Sequence, residues 1–359
     1  MYREKIYYTS LESMKDRYEG QEKSCAFQAG NLLEYAQWKK STRTRLRKLT
    51  GLHKLKKCEL KPQLLEQEVS KDHGYIREKW LIQTEKNVWM PFYLLKPENP
   101  AMTGNPAIIA AHGHGSGGKL AVAGRTETAE IRAVVERQNY TYGVEFVKRG
   151  FYVFCPDARG FGERRESGKQ GDTPECYMGC SCRELSHMAA GLGLTVTGLW
   201  VWDLMRPLDY ISSRDDCDAS KVGCVGLSGG GLQSLWLAAV DDRIAFAGVS
   251  GYFYGYRDSL LEMNQNCSCN YVPGLWETVD MGGDRSPDSS PPPLVIESGL
   301  RDHLNGSRGI VNVTEQVAVT RKAYKLFHAE EALAHDIFDG VHEWRGGVIY
   351  QRAEKYLRQ

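Results

Sequence analysis

Residues 221–240 constrain the fold of this chain more than any other segment. An apolar run, 221–226, leads into Gly226-Leu227-Ser228-Gly229-Gly230, and a helical pattern follows at 232–239. A sharp turn between a strand and a helix needs glycines, because side chains beside the serine would clash with both elements. The turn also places Ser228 at the positive end of the helix. The segment predicts a nucleophilic serine, with an ordinary Gly-Ser turn as the alternative interpretation.

After Pro106 the chain alternates short apolar runs with helical stretches. The runs are 107–111, 151–155, 221–226, 246–249 and 294–297. Continuous apolar strands between helices are typical of a buried, mostly parallel sheet. Ligands of such sheets bind beyond the carboxyl ends of the strands, which is where the polar residues discussed below lie. The predicted class is therefore α/β, with a mostly parallel central sheet flanked by helices.

Three further segments complete the predicted organisation. Residues 1–62 form an N-terminal helical extension, and 63–359 form the main domain. Within it, residues 161–196 are polar, rich in Gly and Cys, and long for a connection, so we expect a lid or pocket wall. Residues 75–82 and 88–95 predict an antiparallel hairpin, in which Pro91 would place the second strand near a sheet edge or bulge.

Composition excludes several classes of function. The 46 basic and 45 acidic residues nearly cancel, so electrostatic capture of nucleic acid or of an anionic membrane is not expected. A basic cluster at 39–48 is interpreted as a solvated helix face. The N-terminal residues lack the apolar core of a signal peptide, and no apolar run approaches the roughly 20 residues of a membrane span. We therefore expect a cytoplasmic protein.

Ten cysteines are scattered along the chain, and two local groups stand out. The groups are Cys176, Cys180 and Cys182, followed by Cys267 and Cys269. Zinc sites favour C-x-x-C pairs, and neither group has that spacing. Reduced thiols with no metal and no cofactor are therefore the expectation, with a zinc site and a disulfide as alternatives.

A serine hydroxyl is a weak nucleophile and needs a base that is oriented by a third group. Asp302 follows the apolar run 294–297, and His342 lies late in the chain on a glycine-flanked loop. The order Ser, Asp, His predicts Ser228 as the nucleophile, Asp302 as the acid and His342 as the base. Glu297 and Asp339 are the alternative acids.

Stabilisation of the tetrahedral oxyanion needs two backbone N–H groups. One is expected from Gly229, directly after the nucleophile. The other is expected from the glycine-rich loop 112–118, at the amide of His114, with the amide of Gly113 as the alternative. A second loop, 157–163, is interpreted as a tight turn in which an Arg–Asp pair braces the site, with Arg159 and Glu163 as substrate contacts in the alternative interpretation.

These motifs together resemble a known group of proteins. The strings 112–118, 157–162, 225–231, 238–244, 296–299 and 340–343 resemble the bacterial α/β hydrolases of the acetyl xylan esterase-like and dienelactone hydrolase-like type. The resemblance covers about 75–350 and implies an α/β-hydrolase fold, no metal cofactor, and esterase or deacetylase activity. It places the nucleophile, acid and base on Ser228, Asp302 and His342. The polar, proline-rich segment 282–293 departs from the apolar helix that relatives have there.

The predicted activity is hydrolysis of a small-acyl ester, with acetyl as the favoured acyl group and a carbohydrate as one candidate for the alcohol. A peptidase of the prolyl-oligopeptidase type and a catalytically silent binding protein with the same fold are the alternatives. The N-terminal helical segment is a candidate surface for homo-oligomerisation.

Overall fold

A computed structural model describes residues 7–70, 74–281 and 291–358 of the chain, so most of the atypical segment 282–293 lies outside the described residues. The strands are β1 (Gln63–Ser70), β2 (Tyr75–Glu85), β3 (Val88–Pro97), β4 (Asn105–Ala111), β5 (Tyr152–Pro156), β6 (Cys217–Leu227), β7 (Phe246–Ser250), β8 (Leu294–Gly299) and β9 (Leu333–Phe338). The helices are α1 (Leu11–Glu19), α2 (Leu32–Leu49), α3 (Lys119–Val122), α4 (Ala129–Gln138), α5 (Tyr142–Lys148), α6 (Pro174–Tyr177), α7 (Cys182–Gly191), α8 (Val196–Ser212), α9 (Gly229–Val240), α10 (Ile310–Leu326) and α11 (Gly347–Leu357).

The nine strands form one sheet in the order β1-β2-β3-β5-β4-β6-β7-β8-β9. From β5 to β9 each neighbouring pair is parallel, and β1, β2 and β3 join antiparallel. The predicted α/β class and mostly parallel sheet are confirmed. The carboxyl ends of β4, β6, β8 and β9 consequently lie along one rim of the sheet.

Apolar side chains cover both faces of the sheet. One face packs against α2, α8, α9 and α10, and its core includes Leu204 and Leu232. The other face packs against α5 and α11, and its core includes Phe146 and Ile349. Because both faces are covered, the central strands can be apolar along their whole length, which is the pattern seen in the sequence.

The N-terminal helices pack onto the main domain, and the basic cluster is part of the contact. Helix α2 lies against α9. Lys39 is buried, and both Lys39 and Arg43 bind the carboxylate of Asp242. The prediction of a fully solvated basic face is therefore wrong for these two side chains, because the carboxyl end of α9 and the Asp242 carboxylate after it face α2 and bind its cations.

The hairpin of β2 and β3 is confirmed, but its position in the sheet differs from the prediction. β3 pairs with β2 on one side and with β5 on the other, so it is not an edge strand. Pro91 is accommodated because it lies just outside the stretch Phe92–Leu95 that pairs with β5. The edge is formed instead by β1, which the sequence analysis did not predict.

Residues 161–196 fold into short helices that lead into α8. Within the described residues, no single helix is both long enough and apolar enough to cross a membrane. The pair α7 and α8, bent by 98°, meets these criteria of length and composition when the two are taken together. Nearly all of α8 is buried in the core of the sheet face that it covers.

Candidate active site

Ser228 lies at a strained turn between β6 and α9. Its backbone has φ 61° and ψ −120°, a region that costs a residue with a side chain about 1–3 kcal/mol. Its N–H donates to the carbonyl of Ser250 at 2.9 Å, which ties the turn to β7. A Cβ on Gly230 would lie 2.0 Å from the carbonyl oxygen of Ala111, so only glycine allows the helix to start this close to β4. The turn therefore has the geometry that the sequence predicted.

Asp302 and His342 are brought together from the loops that follow β8 and β9. Nδ1 of His342 lies 2.7 Å from Oδ2 of Asp302. The other oxygen, Oδ1, accepts from the N–H of Leu304 at 2.9 Å. The Asp302 side chain is 1% exposed, so water does not compete for this contact. With Nδ1 engaged by the carboxylate, Nε2 is the nitrogen of His342 that is available to a substrate or a nucleophile.

The two alternative acids lie in different surroundings. Glu297 accepts from Ser250 Oγ at 2.7 Å and from the backbone N–H groups of Arg345 and Gly346. Burial raises the pKa of Glu297 to about 7, against the opposing effect of these donors. Asp339 is exposed and pairs with Arg301 at the surface. Among the described residues, only Asp302 of the three carboxylates hydrogen-bonds to His342.

Ser228 and His342 line the same cavity, which has a volume of about 310 Å³. Its other walls include His114, Gly229 and Tyr140. Within the described part of the chain, Ser228 Oγ has no hydrogen-bond partner. The structure thus shows an oriented Asp–His pair and a strained serine around one cavity.

The loop after β4 presents its backbone to this cavity. The N–H of Gly113 donates to Tyr140 Oη at 2.9 Å, so this amide is already engaged. The alternative prediction of Gly113 as an oxyanion donor is not favoured for that reason. The amides of His114 and Gly229 have no such partner among the described residues. His112 holds the loop in place, since its Nε2 accepts from the N–H of Ala158 at 3.1 Å.

Burial also fixes the protonation of His112. The ring is fully buried, and this lowers the pKa of His112. The neutral ring accepts at Nε2 and therefore carries its proton on Nδ1, which donates to the carbonyl of Gly113 at 2.9 Å. His112 is a structural support of the loop.

Arg159 and Glu163 do not line the cavity. Arg159 binds Asp203, with Nε to Oδ2 at 2.8 Å, and it also binds Glu85. Glu163 accepts from Lys119 at 2.5 Å. These contacts fit the favoured interpretation of 157–163, a turn in which an Arg–Asp pair braces the site, although the aspartate is Asp203 of α8.

The cavity wall comes from a segment other than the predicted one. Besides residues of the loops after β4, β6, β8 and β9, the wall includes Gln138 and Tyr140 at and just after the end of α4 and residues between β7 and β8, namely Tyr252, Tyr254, Gln265, Asn266, Cys267 and Asn270. No residue of 161–196 lines it. That insertion lies behind the wall, where Phe161 packs on the rings of His112 and His114. The pocket wall predicted at 161–196 is therefore a supporting layer.

Tyr140 and His303 are among the cavity residues that sequence reasoning missed. Tyr140 lies between α4 and α5, with no motif around it that signals a site. His303 also lines the cavity, and its Nδ1 lies 3.8 Å from Asp302 Oδ1. Its position directly after the predicted acid was the available signal.

A strained serine after a parallel strand, with an Asp–His pair on later strand-end loops, defines an α/β-hydrolase site. The sequence profile of the Abhydrolase family matches residues 4–246, which is more than half of the chain and includes Ser228. The chain belongs to this family.

Known proteins agree with this assignment. YtaP of Bacillus subtilis (strain 168), which carries the provisional name of a hydrolase, is 28% identical over 172 residues. The match spans 47% of this chain and 50% of YtaP, so it covers about half the length of that relative.

Solved structures show the same fold over nearly the whole chain. A structure from Bacteroides fragilis NCTC 9343, provisionally assigned as an acetyl xylan esterase, is 18% identical with a TM-score of 0.72, covering 94% of this chain and 84% of that chain. A glucuronoyl esterase from Teredinibacter turnerae T7901 is 14% identical with a TM-score of 0.64, covering 91% and 86%. Acetyl xylan esterase 1 from Thermoanaerobacterium sp. JW/SL YS485 is 15% identical with a TM-score of 0.55, covering 98% of each chain. At these identities the likeness shows the fold.

Proposed function

We propose that this protein is a serine esterase that removes small acyl groups, acetyl above all, from a carbohydrate ester. The observation that carries the proposal is the buried Asp302–His342 hydrogen bond beside the strained Ser228 in one cavity. The structural neighbours named above are esterases, one by provisional assignment, which supports the same class of reaction.

The reaction proceeds by two acyl transfers. Nε2 of His342 accepts the proton of Ser228 as the oxygen attacks the ester carbonyl carbon. Asp302 holds the ring with Nδ1–H toward its carboxylate and stabilises the imidazolium that forms. The imidazolium then protonates the departing alcohol, which leaves an acyl-enzyme. Water attacks this ester with His342 again as base, and the carboxylic acid is released.

Negative charge on the carbonyl oxygen is stabilised by the amides of Gly229 and His114 in this proposal. Gly229 is the first residue of α9, so its N–H also adds the positive end of the helix. Tyr140 keeps the Gly113 amide satisfied and so holds the loop in one conformation. Desolvation by burial raises the pKa of Tyr140 above its usual value, so its hydroxyl remains protonated.

The preference for a small acyl group and a sugar rests on the cavity. A volume of about 310 Å³ is at the lower end of the range for small-molecule sites. The amide side chains of Gln265, Asn266 and Asn270 offer donors and acceptors suited to sugar hydroxyls, and Tyr252 and Tyr254 offer ring faces. A cavity of this volume leaves little room for a long acyl chain beside a sugar.

The test is hydrolysis of p-nitrophenyl acetate, butyrate and octanoate by wild type and by Ser228→Ala, followed by acetylated xylo-oligosaccharides. We expect turnover fastest on acetate and a loss of about 10⁶-fold in kcat for Ser228→Ala. The matched control is Ser307→Ala, an exposed serine outside the cavity, which should leave kcat unchanged. Equal rates for Ser228→Ala and wild type would refute the nucleophile assignment.

The same assays separate the two alternatives. Cleavage of peptides with no turnover of any ester would favour the peptidase. Absence of both activities, together with no labelling of Ser228 by a fluorophosphonate probe, would favour a silent binding protein.

A further inference from the structure

Beside the Ser228 cavity, four metal-binding side chains converge from distant parts of the chain. They are His114, Cys180, Cys182 and Cys267, and their ligand atoms all lie within 4.8 Å of one another. A fifth, Cys269, has its Sγ 3.6 Å from Nε2 of His114. We call these four side chains, without Cys269, the thiol cluster.

The cluster joins three separate elements of the fold. His114 belongs to the loop after β4, Cys180 and Cys182 lie at the start of α7, and Cys267 lies between β7 and β8. The two sequence groups contribute a C-x-C pair and a single cysteine, and the histidine comes from elsewhere. Local spacing could not reveal such a site, because the strand-end loops bring the ligands together only in the folded chain.

We propose that the thiol cluster binds one zinc ion in a tetrahedral site of three thiolates and one imidazole. Zinc–sulphur bonds of about 2.3 Å and a zinc–nitrogen bond of about 2.0–2.1 Å place tetrahedral ligand atoms roughly 3.5–3.8 Å apart. Ligand atoms within 4.8 Å of one another reach that spacing by small side-chain rotations. The expectation from spacing, reduced thiols without a metal, is replaced by this proposal.

Chemistry and burial both favour zinc over free thiols. Cys182 is fully buried, and Cys180, Cys267 and His114 are half-buried. Thiols are weak hydrogen-bonding groups, so they satisfy one another poorly in such a place. Soft thiolate and imidazole ligands select zinc among the abundant divalent ions. Each ion bound displaces three thiol protons to solvent, one from each cysteine.

The ion is structural in this proposal and does not activate water. All four positions are filled by protein ligands, which is the pattern of closed zinc sites. The ring of His114 is held edge-on against Phe161, with centroids 5.0 Å apart. Ligation of the His114 ring would therefore fix the loop whose amide faces the cavity, and ligation of Cys267 would fix the cavity wall.

The test measures metal content of the full chain, expressed with zinc present, by elemental mass spectrometry. We expect about one zinc per chain in wild type, and a fall in zinc affinity of more than about 100-fold in Cys180→Ser and Cys267→Ser. Cys176→Ser, in the same insertion but outside the cluster, is the matched control and should keep the ion. Zinc retained equally in all of these variants would overturn the assignment.

Cobalt titration of the metal-free wild type provides a measurement that does not depend on folding of a variant. Tetrahedral cobalt thiolate absorption with three protons released per ion is expected. No binding, or a disulfide joining two cluster cysteines in freshly purified reduced protein, would overturn the proposal. Because no substrate is involved, a zinc-loaded protein without esterase activity would refute only the proposed function.

Discussion

Replacement of Asp302 by asparagine tests the proposed mechanism at one hydrogen bond. The N–H of Leu304 donates to Oδ1 at 2.9 Å, so the amide oxygen of the asparagine must take that position. Its NH₂ group then faces Nδ1 of His342, where Oδ2 lay at 2.7 Å. The ring must accept there, and its proton moves to Nε2. A base protonated on Nε2 cannot accept the proton of Ser228.

The size of the effect follows from this tautomer change. A triad with the wrong tautomer loses about 10⁴-fold in kcat, which corresponds to about 5.4 kcal/mol of transition-state stabilisation. KM should change little, because Asp302 does not line the cavity. Water cannot replace the carboxylate as the acceptor for Nδ1–H of His342, because the side chain at position 302 is 1% exposed.

The assay is steady-state hydrolysis of p-nitrophenyl acetate by Asp302→Asn, with the unfolding midpoint measured to show that the variant is folded. Asp339→Asn makes the same chemical change at an exposed carboxylate and should stay within about twofold of wild type. A folded Asp302→Asn that kept more than about a tenth of the wild-type kcat would refute the reasoning.

Three further predictions concern stability, each measured by urea unfolding. The folded protein holds the proton of Glu297 more tightly than the unfolded chain, with a pKa of about 7 against 4.5, so the stability that this carboxyl contributes is lost as pH rises through 7. The free energy of unfolding of Glu297→Gln should therefore rise by about 2.5 kcal/mol relative to that of wild type when the pH is raised from 5 to 8. A difference between the two proteins that did not change with pH would contradict the raised pKa. Lys119→Ala should lower the free energy of unfolding by about 3–5 kcal/mol, because the buried carboxylate of Asp157, which Lys119 contacts at 2.6 Å, loses its cation. Arg301→Ala removes the cation of an exposed pair and should lower it by less than about 1 kcal/mol. Similar losses in the two variants would argue against the buried pair. Gly230→Ala should lower the free energy of unfolding by at least about 1–3 kcal/mol, because its Cβ would lie 2.0 Å from the Ala111 carbonyl oxygen. Gly347→Ala is the control and should be neutral, because a Cβ there meets nothing within 4 Å. An unchanged stability of Gly230→Ala would show that the turn is less tightly packed than described.

The parts of the molecule that the sequence predicted are those with a local signature. The strand, Gly226–Gly230 and helix of the nucleophile turn form one continuous segment, and the parallel sheet shows itself as repeated apolar runs. Asp302 and His342 were predicted from their positions, because Asp302 lies in the loop after the run 294–297 and His342 lies late in the chain on a glycine-flanked loop, in the expected order. Their contact through Nδ1 then follows from the shared rim of the sheet.

The parts that were not predicted depend on contacts between distant segments. Strand β1 is exposed along nearly its whole length, so it lacks the apolar pattern of a buried strand. A lysine such as Lys39 is expected at the surface from sequence alone, because its partner Asp242 is remote in the chain. The engagement of the Gly113 amide depends on Tyr140, which is remote in sequence and carries no motif.

The exposed edge strand β1 also bears on how two copies of this chain can associate. An unpaired edge strand can pair with a strand of a second chain, and charged side chains along the edge are one of the features that oppose such pairing. Glu66 and Glu68 lie on β1 and form ion pairs with Lys79 and Arg77 of the neighbouring strand in the same molecule. An antiparallel pair of β1 strands would bring four such carboxylates together, already tied to their own cations. Growth of the sheet at this end would therefore have to accommodate those ion pairs beside the exposed side chains of Leu64, Leu65 and Val69.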